Sequence, residues 1–316
     1  MTGSQDQKRV VTLIASATEI VCALGCRDWL VGRSHECDFP TEVARLPVLT
    51  EPKFLVEGSS YEIDQRVKAV VQEGLSVYRV DAEALSAVAP EIIVTQDHCE
   101  VCAVSLRDVE EALCQITGTD ARVVSLHPDS LADLWSDIET VAGALGVPER
   151  GRALEAELKA RMGEVVDRAR ALASRPRVAC IEWIDPLMSG GNWMPELIEM
   201  AGGDNLFGEA GKHSPWMEWE DLRDADPDLV FVQPCGFDIP RTLEEMALLG
   251  RRPGWDGLKA VREGRIYVAD GNQYFNRPGP RLAESLEILA EVIHPDVFSF
   301  GYEDTGWVRF EGGKPQ

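Results

Sequence analysis

A single long helical pattern in the middle of the chain constrains the fold more than any other feature. Residues 149–174 contain no proline and almost no glycine, and apolar residues such as Leu154, Leu158 and Met162 recur there at helical spacing. About 25 residues at ~1.5 Å each form one helix of about 40 Å. In a chain of 316 residues, such a helix predicts a connection between two folded units.

Strand-like and helical patterns alternate on both sides of this segment. Apolar strand-like runs begin at Val10, Leu30, Glu91 and Ala121 before the helix, and at Arg177, Asp228 and Gly264 after it. This alternation is typical of mainly parallel sheets. We therefore predict an α/β fold of two Rossmann-like lobes, joined by the long helix, with a ligand cleft between the lobes. The predicted boundaries are 1–147 for the first lobe, 148–175 for the linker helix and 176–316 for the second lobe.

A short repeat across the helix supports two lobes of like construction. LSAVAPEIIVTQ (residues 85–96) and LRDADPDLVFVQ (residues 222–233) both read leucine, four residues, proline, an acid, four apolar or β-branched residues and glutamine. The alternative is that both are instances of the helix-proline-strand pattern common to α/β proteins.

Composition excludes several classes of function. The 31 basic and 54 acidic residues give a formal charge of −23, which disfavours nucleic acid as a partner. No apolar run approaches the roughly 20 residues that span a bilayer, so we expect no membrane insertion. The start MTGSQDQKRV lacks the apolar stretch of a secretory signal, and we expect a cytoplasmic protein. Dinucleotide, Walker and nucleophile-elbow motifs do not occur, and we expect no enzyme.

Thiols and imidazoles follow three of the predicted strands, at the edge where doubly wound sheets bind ligands. The segments are SHECDFP (34–40), DHCEVC (97–102) and QPCGFD (233–238). Such side chains suit zinc, an iron–sulfur cluster or axial contact to a cofactor metal. The alternative is ordinary packing of buried cysteines, because a lone C-x-x-C is weak evidence for a metal site. The candidate residues are His35, Glu36 and Phe237 for a ligand, and Cys37, His98, Cys99, Cys102 and Cys235 for a metal.

Aromatic residues are concentrated in the second half of the chain, near predicted strand ends or loops. Rings at such positions would hold a large, flat and partly apolar ligand, although some of them could belong to the core. They are Trp183, Trp193, Trp216, Trp219, Tyr274 and Phe275.

The segments SHECDFP, PWMEWEDLRDADPDLVFV and YFNRPGPRL make the chain similar to a known family. From Arg9 to about Pro295 it resembles the cobalamin-binding class of helix-linked, class III substrate-binding proteins, which serve ABC importers of corrinoids, iron siderophores and haem. The resemblance implies a non-catalytic protein with an ABC permease as a possible partner. It also implies ligand contacts from the backbone of Ser16, Ala17 and Thr18 and from the rings of Phe39, Phe54, Trp193, Trp216, Tyr274 and Phe275.

Together these observations predict binding of a corrinoid such as cobalamin, or of a similar metal chelate, for uptake or intracellular handling. The alternative is a protein that uses its cysteine and histidine residues to bind a metal ion, an iron siderophore, haem or an iron–sulfur cluster.

Overall fold

The computed structural model describes residues 7–72, 77–96, 109, 112 and 121–311. The chain divides into two compact units. One comprises residues 1–57, 65–128 and 132–157, and the other comprises residues 58–64, 129–131 and 158–316. Each unit contains its own sheet, parallel in the first unit and mainly parallel in the second. The two-lobed α/β fold predicted from the sequence is therefore confirmed.

The sheet of the first unit has four parallel strands in the order β2-β1-β5-β6. Val10 and Val11 of the central β1 are completely buried, as expected for a strand covered on both faces. A separate antiparallel pair is formed by β3 and β4. The strands are β1 (Val10–Thr12), β2 (Leu30–Arg33), β3 (Thr50–Pro52), β4 (Tyr78–Val80), β5 (Ile92–Gln96) and β6 (Arg122–Leu126).

Helices lie between several of these strands, and two more follow the last strand. They are α1 (Ala15–Ala23), α2 (Ser60–Gln72), α3 (Ala82–Val88), α4 (Leu131–Leu145) and α5 (Pro148–Arg170). Helix α5 is the long helix predicted from the sequence, and it ends at Arg170 rather than at residue 175. Among the residues that the structure describes, no helix is long and apolar enough to cross a bilayer.

The sheet of the second unit has the order β12-β11-β10-β7-β8, and β9 also pairs with β7. Its centre, formed by β7, β10 and β11, is parallel, whereas β8 and β12 run antiparallel at the two edges. The strands are β7 (Arg177–Trp183), β8 (Met188–Ser189), β9 (Asp204–Asn205), β10 (Leu229–Val232), β11 (Ile266–Ala269) and β12 (Trp307–Arg309).

The helices of the second unit pack their apolar residues against this sheet. Met246 and Leu249, for example, are completely buried in a cluster with Val230 and Val232. The helices are α6 (Met194–Met200), α7 (Trp219–Ala225), α8 (Ile239–Gly250), α9 (Lys259–Arg262) and α10 (Leu282–Ile293), and a turn of π-helix covers Gly271–Phe275.

The two copies of the sequence repeat have the same local geometry. Helix α3 ends at Ala89 with φ 41°, and helix α7 ends at Asp226 with φ 42°. Both residues adopt the left-handed conformation that ends many helices, and a proline follows each of them. The chain then enters β5 in one copy and β10 in the other.

An arginine and an acid join each copy to the neighbouring strand. The backbone N–H of Arg9 donates to Glu91 Oε2 at 2.8 Å, and that of Arg177 donates to Asp228 Oδ2 at 2.7 Å. The Arg9 guanidinium also donates to carbonyls at the end of α3, and the Arg177 guanidinium donates to carbonyls at the end of α7. These bonds satisfy carbonyls that a helix end leaves unpaired.

Candidate functional site

The segment that follows β2 carries the polar candidates of the first unit. Ser34 is buried, and its backbone N–H donates to the carbonyl of Thr12 in β1 at 2.9 Å, which extends the parallel ladder by one residue. The chain then leaves the sheet at His35 and Glu36. These two side chains therefore lie at the carboxyl edge of the sheet, where α/β folds bind ligands.

The hydroxyl of Thr50 holds His35 at two points. Thr50 Oγ1 lies 3.0 Å from the backbone nitrogen of His35 and 2.7 Å from its Nδ1, and it donates its own proton to Ser34 Oγ at 3.1 Å. Burial, assisted by the charge of Arg33, lowers the pKa of His35 below its usual value. The ring is therefore oriented and favours the neutral form.

Glu36 and Tyr78 form the other side of this group. The Tyr78 hydroxyl donates to Glu36 Oε1 at 2.8 Å, and the same carboxylate oxygen lies 3.9 Å from His35 Nε2. The rings of His35 and Tyr78 are 5.1 Å apart at a tilt of 51°. Tyr78 belongs to β4, so strand β4 supplies a side chain to the site that the sequence did not indicate.

Cys37 lies inside the first unit rather than on its surface. Its side chain is completely buried, and Sγ accepts a hydrogen bond from the Thr18 hydroxyl at 2.9 Å. The same hydroxyl is 2.7 Å from that of Thr12. Cys37 thus takes part in a buried polar contact between α1 and the segment after β2.

The predicted metal site is tested only in part. Within the described ranges, no group of three or more histidine, cysteine, aspartate or glutamate side chains is placed to hold a metal ion. Three of the predicted ligands, His98, Cys99 and Cys102, lie outside the described residues. Cys235 is a partly exposed free thiol after β10. The roles of these cysteine and histidine residues as metal ligands stay predictions.

The remaining candidates of the first unit differ in exposure. Ser16, Ala17 and Thr18 lie in the first turn of α1 and are buried, and their predicted backbone contact with a ligand stays a prediction. Phe54 is half-buried and packs against the core of this unit. Phe39, in contrast, keeps 39% of its surface exposed. Phe39, four residues after His35 in the chain, thus has surface that a ligand could cover.

Trp216 is the most exposed aromatic candidate of the second unit, at 54%. Its backbone bridges to Met188, which pairs with Trp183 at the carboxyl end of β7. The next residue, Met217, donates its N–H to the carbonyl of Leu187 at 3.0 Å. These contacts hold the backbone of Trp216 at the carboxyl edge of the second sheet, and more than half of the residue's surface is exposed.

A pair of rings adjoins this edge. Phe237 lies 5.2 Å from Trp183, and the guanidinium of Arg241 stacks on Phe237 at 4.4 Å. Only Phe237 is in the predicted set of ligand contacts, and it is mostly buried. Arg241 was missed, although it lies only four residues after Phe237, in the first turn of α8.

Trp193 and Phe275 are buried in the second unit. Phe275 is completely buried and packs edge-to-face on Phe231 at 5.0 Å, and the Trp193 indole N–H donates to the carbonyl of Phe275 at 2.9 Å. Both side chains therefore belong to the core that supports the π-turn. Their predicted contact with a ligand stays a prediction.

Tyr274 precedes Phe275 in the π-turn and, unlike Phe275, is not completely buried. It is partly buried, which raises its pKa, and the Arg281 guanidinium is 5.4 Å from its ring centre. Asp270 begins the turn by accepting hydrogen bonds from the N–H groups of Asn272 and Gln273. The turn Gly271–Phe275 thus presents Tyr274 after β11.

The known proteins that the chain resembles in sequence are binding proteins. Residues 10–272 match the sequence profile of a family described as periplasmic binding protein. The chain is 22% identical over 304 residues to an uncharacterized ABC transporter substrate-binding lipoprotein, YvrC, of Bacillus subtilis strain 168, across 94% of this chain and 83% of that protein. It is 21% identical over 295 residues to the vitamin B12-binding protein of Vibrio parahaemolyticus, across 90% and 88%.

A solved structure has the same fold. The periplasmic heme-binding protein RhuT from Roseiflexus sp. RS-1, in its apo form, superposes with a TM-score of 0.67 and 24% identity, over 92% of this chain and 100% of that one. Similarity at this level of identity shows the fold and leaves the ligand open.

Proposed function

Because the chain belongs to the periplasmic binding protein family, whose profile matches residues 10–272, we propose that it binds a corrinoid of the cobalamin type. Proteins of this family bind solutes and do not catalyse reactions, so the chain is a binding protein and not an enzyme. Similarity to a vitamin B12-binding protein over 90% of the chain supports the corrinoid.

The observation that carries the proposal is the exposure of two large rings at strand ends. Phe39 follows β2, and Trp216 is fixed beside the end of β7. A ring at 39% or 54% exposure would bury much of its apolar surface if a flat macrocycle lay against it, so each of the two rings is by itself a candidate contact. The polar groups of His35 and Glu36, next to Phe39, would meet the polar parts of such a ligand.

Haem is the second candidate, because a structure of the same fold is a heme-binding protein. Haem is also a flat, largely apolar metal macrocycle, and either of these rings would suit it. An iron siderophore remains a third member of this ligand class. Binding of a bare metal ion or an iron–sulfur cluster stays a prediction, and its candidate ligands are Cys37, Cys99, Cys102 and Cys235, with His35 or His98.

Titration of the purified protein with cyanocobalamin and with haemin distinguishes these ligands. We expect cyanocobalamin to quench tryptophan fluorescence with a Kd well below ~100 μM. Trp216→Ala should weaken binding at least tenfold, whereas Phe300→Ala, which removes a ring of 38% exposure elsewhere in the same unit, should not. Failure of cyanocobalamin to bind, with tight binding of haemin, would replace the corrinoid by haem.

The proposed biological role of ligand binding is either uptake of the ligand or its handling inside the cell. The family relationship and the similarity to an ABC transporter substrate-binding lipoprotein support an ABC permease as partner. We propose the cytoplasm as the location of the protein. Cell fractionation with an antibody tests the location: recovery in the cytoplasmic fraction supports handling inside the cell, and recovery outside the inner membrane supports uptake.

A further inference from the structure

The loop of residues 302–306 contacts the π-turn at two places. At the start of the turn, the backbone N–H of Asp270 donates to the carbonyl of Gly306 at 3.0 Å. Further along, the rings of Tyr274 and Tyr302 meet edge to face, with their centres 6.0 Å apart and their planes at 74°. The loop therefore touches the turn both where it begins and at the ring that it presents after β11.

The backbone of this loop is fixed within the second unit. The carbonyl of Tyr302 accepts from the N–H groups of Thr305 at 3.1 Å and Gly306 at 2.7 Å. The backbone N–H of Tyr302 donates to Glu291 Oε2 in α10 at 3.2 Å, and Glu291 is buried. The Cα of Tyr302 is thus held in place before its side chain makes any contact.

The hydroxyl of Tyr302 is anchored to the ion pair between α5 and α10. It donates to Glu287 Oε2 at 2.9 Å and accepts from Arg161 Nη2 at 3.3 Å. Burial and the Glu287 carboxylate raise the pKa of Tyr302, so the hydroxyl keeps the proton that it donates. Because the ring is held by its hydroxyl at one end and by its backbone at the other, it offers a fixed surface to Tyr274.

Other contacts of Tyr274 restrain its backbone and one face of its ring. Ser285 Oγ donates to the carbonyl of Tyr274 at 2.8 Å. The guanidinium of Arg281 lies over the ring, and Arg281 Nη1 donates to Gln273 Oε1 at 3.0 Å. Tyr302 adds an aromatic contact that a distant part of the chain supplies.

We propose that Tyr302 is a positioning residue for the ligand contact of Tyr274, and that its anchored ring holds the Tyr274 ring in the orientation that receives the macrocycle. This inference rests on the proposed function and adds to it a residue that acts through another. A ring that is held before binding loses less conformational freedom when the ligand arrives, so part of the affinity depends on Tyr302.

A double-mutant cycle on ligand binding tests this role, with cyanocobalamin and haemin as the ligands. Tyr302→Leu, which removes the ring and keeps an apolar side chain, should weaken binding about three- to tenfold. Tyr302→Phe, which keeps the ring and removes its anchor, should weaken binding by a smaller factor. Tyr274→Leu should itself bind more weakly. In that background Tyr302→Leu should have no further effect, because Tyr302 acts through Tyr274.

Trp255→Leu is the matched control for a general loss of stability. Trp255 is buried in the same unit, and its ring lies 6.1 Å from that of Trp219. Its replacement should lower the free energy of unfolding and leave the affinity of the folded protein unchanged. An equal loss of affinity in Trp255→Leu and Tyr302→Leu would overturn the positioning role. Equal effects of Tyr302→Leu with and without Tyr274 would overturn it as well.

A measurement without ligand keeps the two proposals separate. The rate at which N-acetylimidazole acetylates the Tyr274 hydroxyl, followed by mass spectrometry, reports how firmly the ring is held. Tyr302→Leu should raise this rate about threefold or more, and Tyr302→Phe should raise it too and serves if Tyr302→Leu does not fold.

The outcomes then differ for the two proposals. Unchanged affinity in the Tyr302 variants, with binding by the wild-type protein, would overturn the role of Tyr302 and leave the proposed function standing. If the wild-type protein binds neither compound, the proposed function is overturned. The acetylation rate alone then decides whether Tyr302 holds Tyr274: a rise in the variants supports this contact, and an unchanged rate overturns it.

Discussion

Trp193 donates its indole N–H to the backbone carbonyl of Phe275 at 2.9 Å, with both side chains buried. This bond ties the start of α6 to the end of the π-turn after β11. Trp193 is therefore a support for the turn that carries Tyr274.

The first prediction concerns this support. Trp193→Phe keeps an aromatic ring but leaves the buried carbonyl of Phe275 without its donor, which should lower the free energy of unfolding by about 1–3 kcal/mol. Urea denaturation measures the change. The control is Trp216→Phe, which alters a ring of 54% exposure and should change stability by less than about 0.5 kcal/mol. Equal losses in both variants would contradict a supporting role for Trp193.

The second prediction concerns the close approach of the π-turn to the end of β10. A Cβ on Gly271 would lie 2.8 Å from the carbonyl oxygen of Gln233 and even closer to that of Pro234. Gly271→Ala should displace the turn and weaken ligand binding. It should also lower the free energy of unfolding by about 2 kcal/mol or more. The control is Gly250→Ala at the end of α8, where a Cβ meets nothing within 4 Å. A fully stable Gly271→Ala protein would refute this packing.

The third prediction is a loss of stability in mild acid. The pKa of His35 is lowered in the folded protein, so between that value and the usual value of about 6.5 the unfolded chain binds more protons. The free energy of unfolding must then fall as the pH falls below about 6.5, by at most about 1.4 kcal/mol per pH unit for this group. Urea denaturation at pH 7.5 and 5.5 should show a smaller loss for His35→Asn than for wild type.

His294 contributes in the same direction, because burial also lowers its pKa. Its Nε2 lies 3.1 Å from the carbonyl of Gly202. His35→Asn should therefore remove only part of the acid sensitivity of the wild-type protein. An identical loss in wild type and variant would contradict the neutral state of His35.

The fourth prediction concerns an ion pair between α5 and α10. Arg161 binds both carboxylate oxygens of Glu287 at 2.7 and 2.6 Å, and Tyr302 donates to the same carboxylate at 2.9 Å. Glu287→Gln should reduce stability by about 2 kcal/mol, because bonds to a mostly buried charge are lost. Glu149→Gln breaks an exposed pair with Arg152 and should have an effect under about 0.5 kcal/mol.

A double-mutant cycle checks the pairing. Arg161→Gln combined with Glu287→Gln should show a coupling of at least about 1 kcal/mol in thermal or urea unfolding. Additive effects would indicate that the two side chains act separately.

The sequence was sufficient for the architecture because apolar periodicity reflects burial along each element. The run that predicts α5 places Leu158, Met162 and Val165 on one buried face. The centre of a strand run such as RVACIEW, residues 178–181, is apolar without alternation because parallel strands are covered on both sides. Each of these patterns lies within one helix or strand. It can therefore be recognised without knowing which elements pack against one another.

The site depended on contacts between distant parts of the chain, which periodicity does not contain. Thr50 holds His35 from fifteen positions away, and Tyr78 reaches Glu36 from forty-two positions away. Aromatic residues were recognised by type alone, so buried Phe275 and exposed Trp216 looked alike in the sequence. The spacing of Cys37 gave no indication of its buried bond to Thr18.

The arginine and acid junctions described at the repeat differ in one respect. One uses Glu91 and the other Asp228, yet both reach a backbone N–H in the adjacent parallel strand. The junction therefore requires an acidic residue directly before the strand, whereas the length of the acidic side chain can vary between Asp and Glu. An arginine at the start of one apolar strand and a proline-acid pair at the start of another together indicate that the two strands are neighbours in the sheet. Such pairs could therefore be used to predict strand order from sequence.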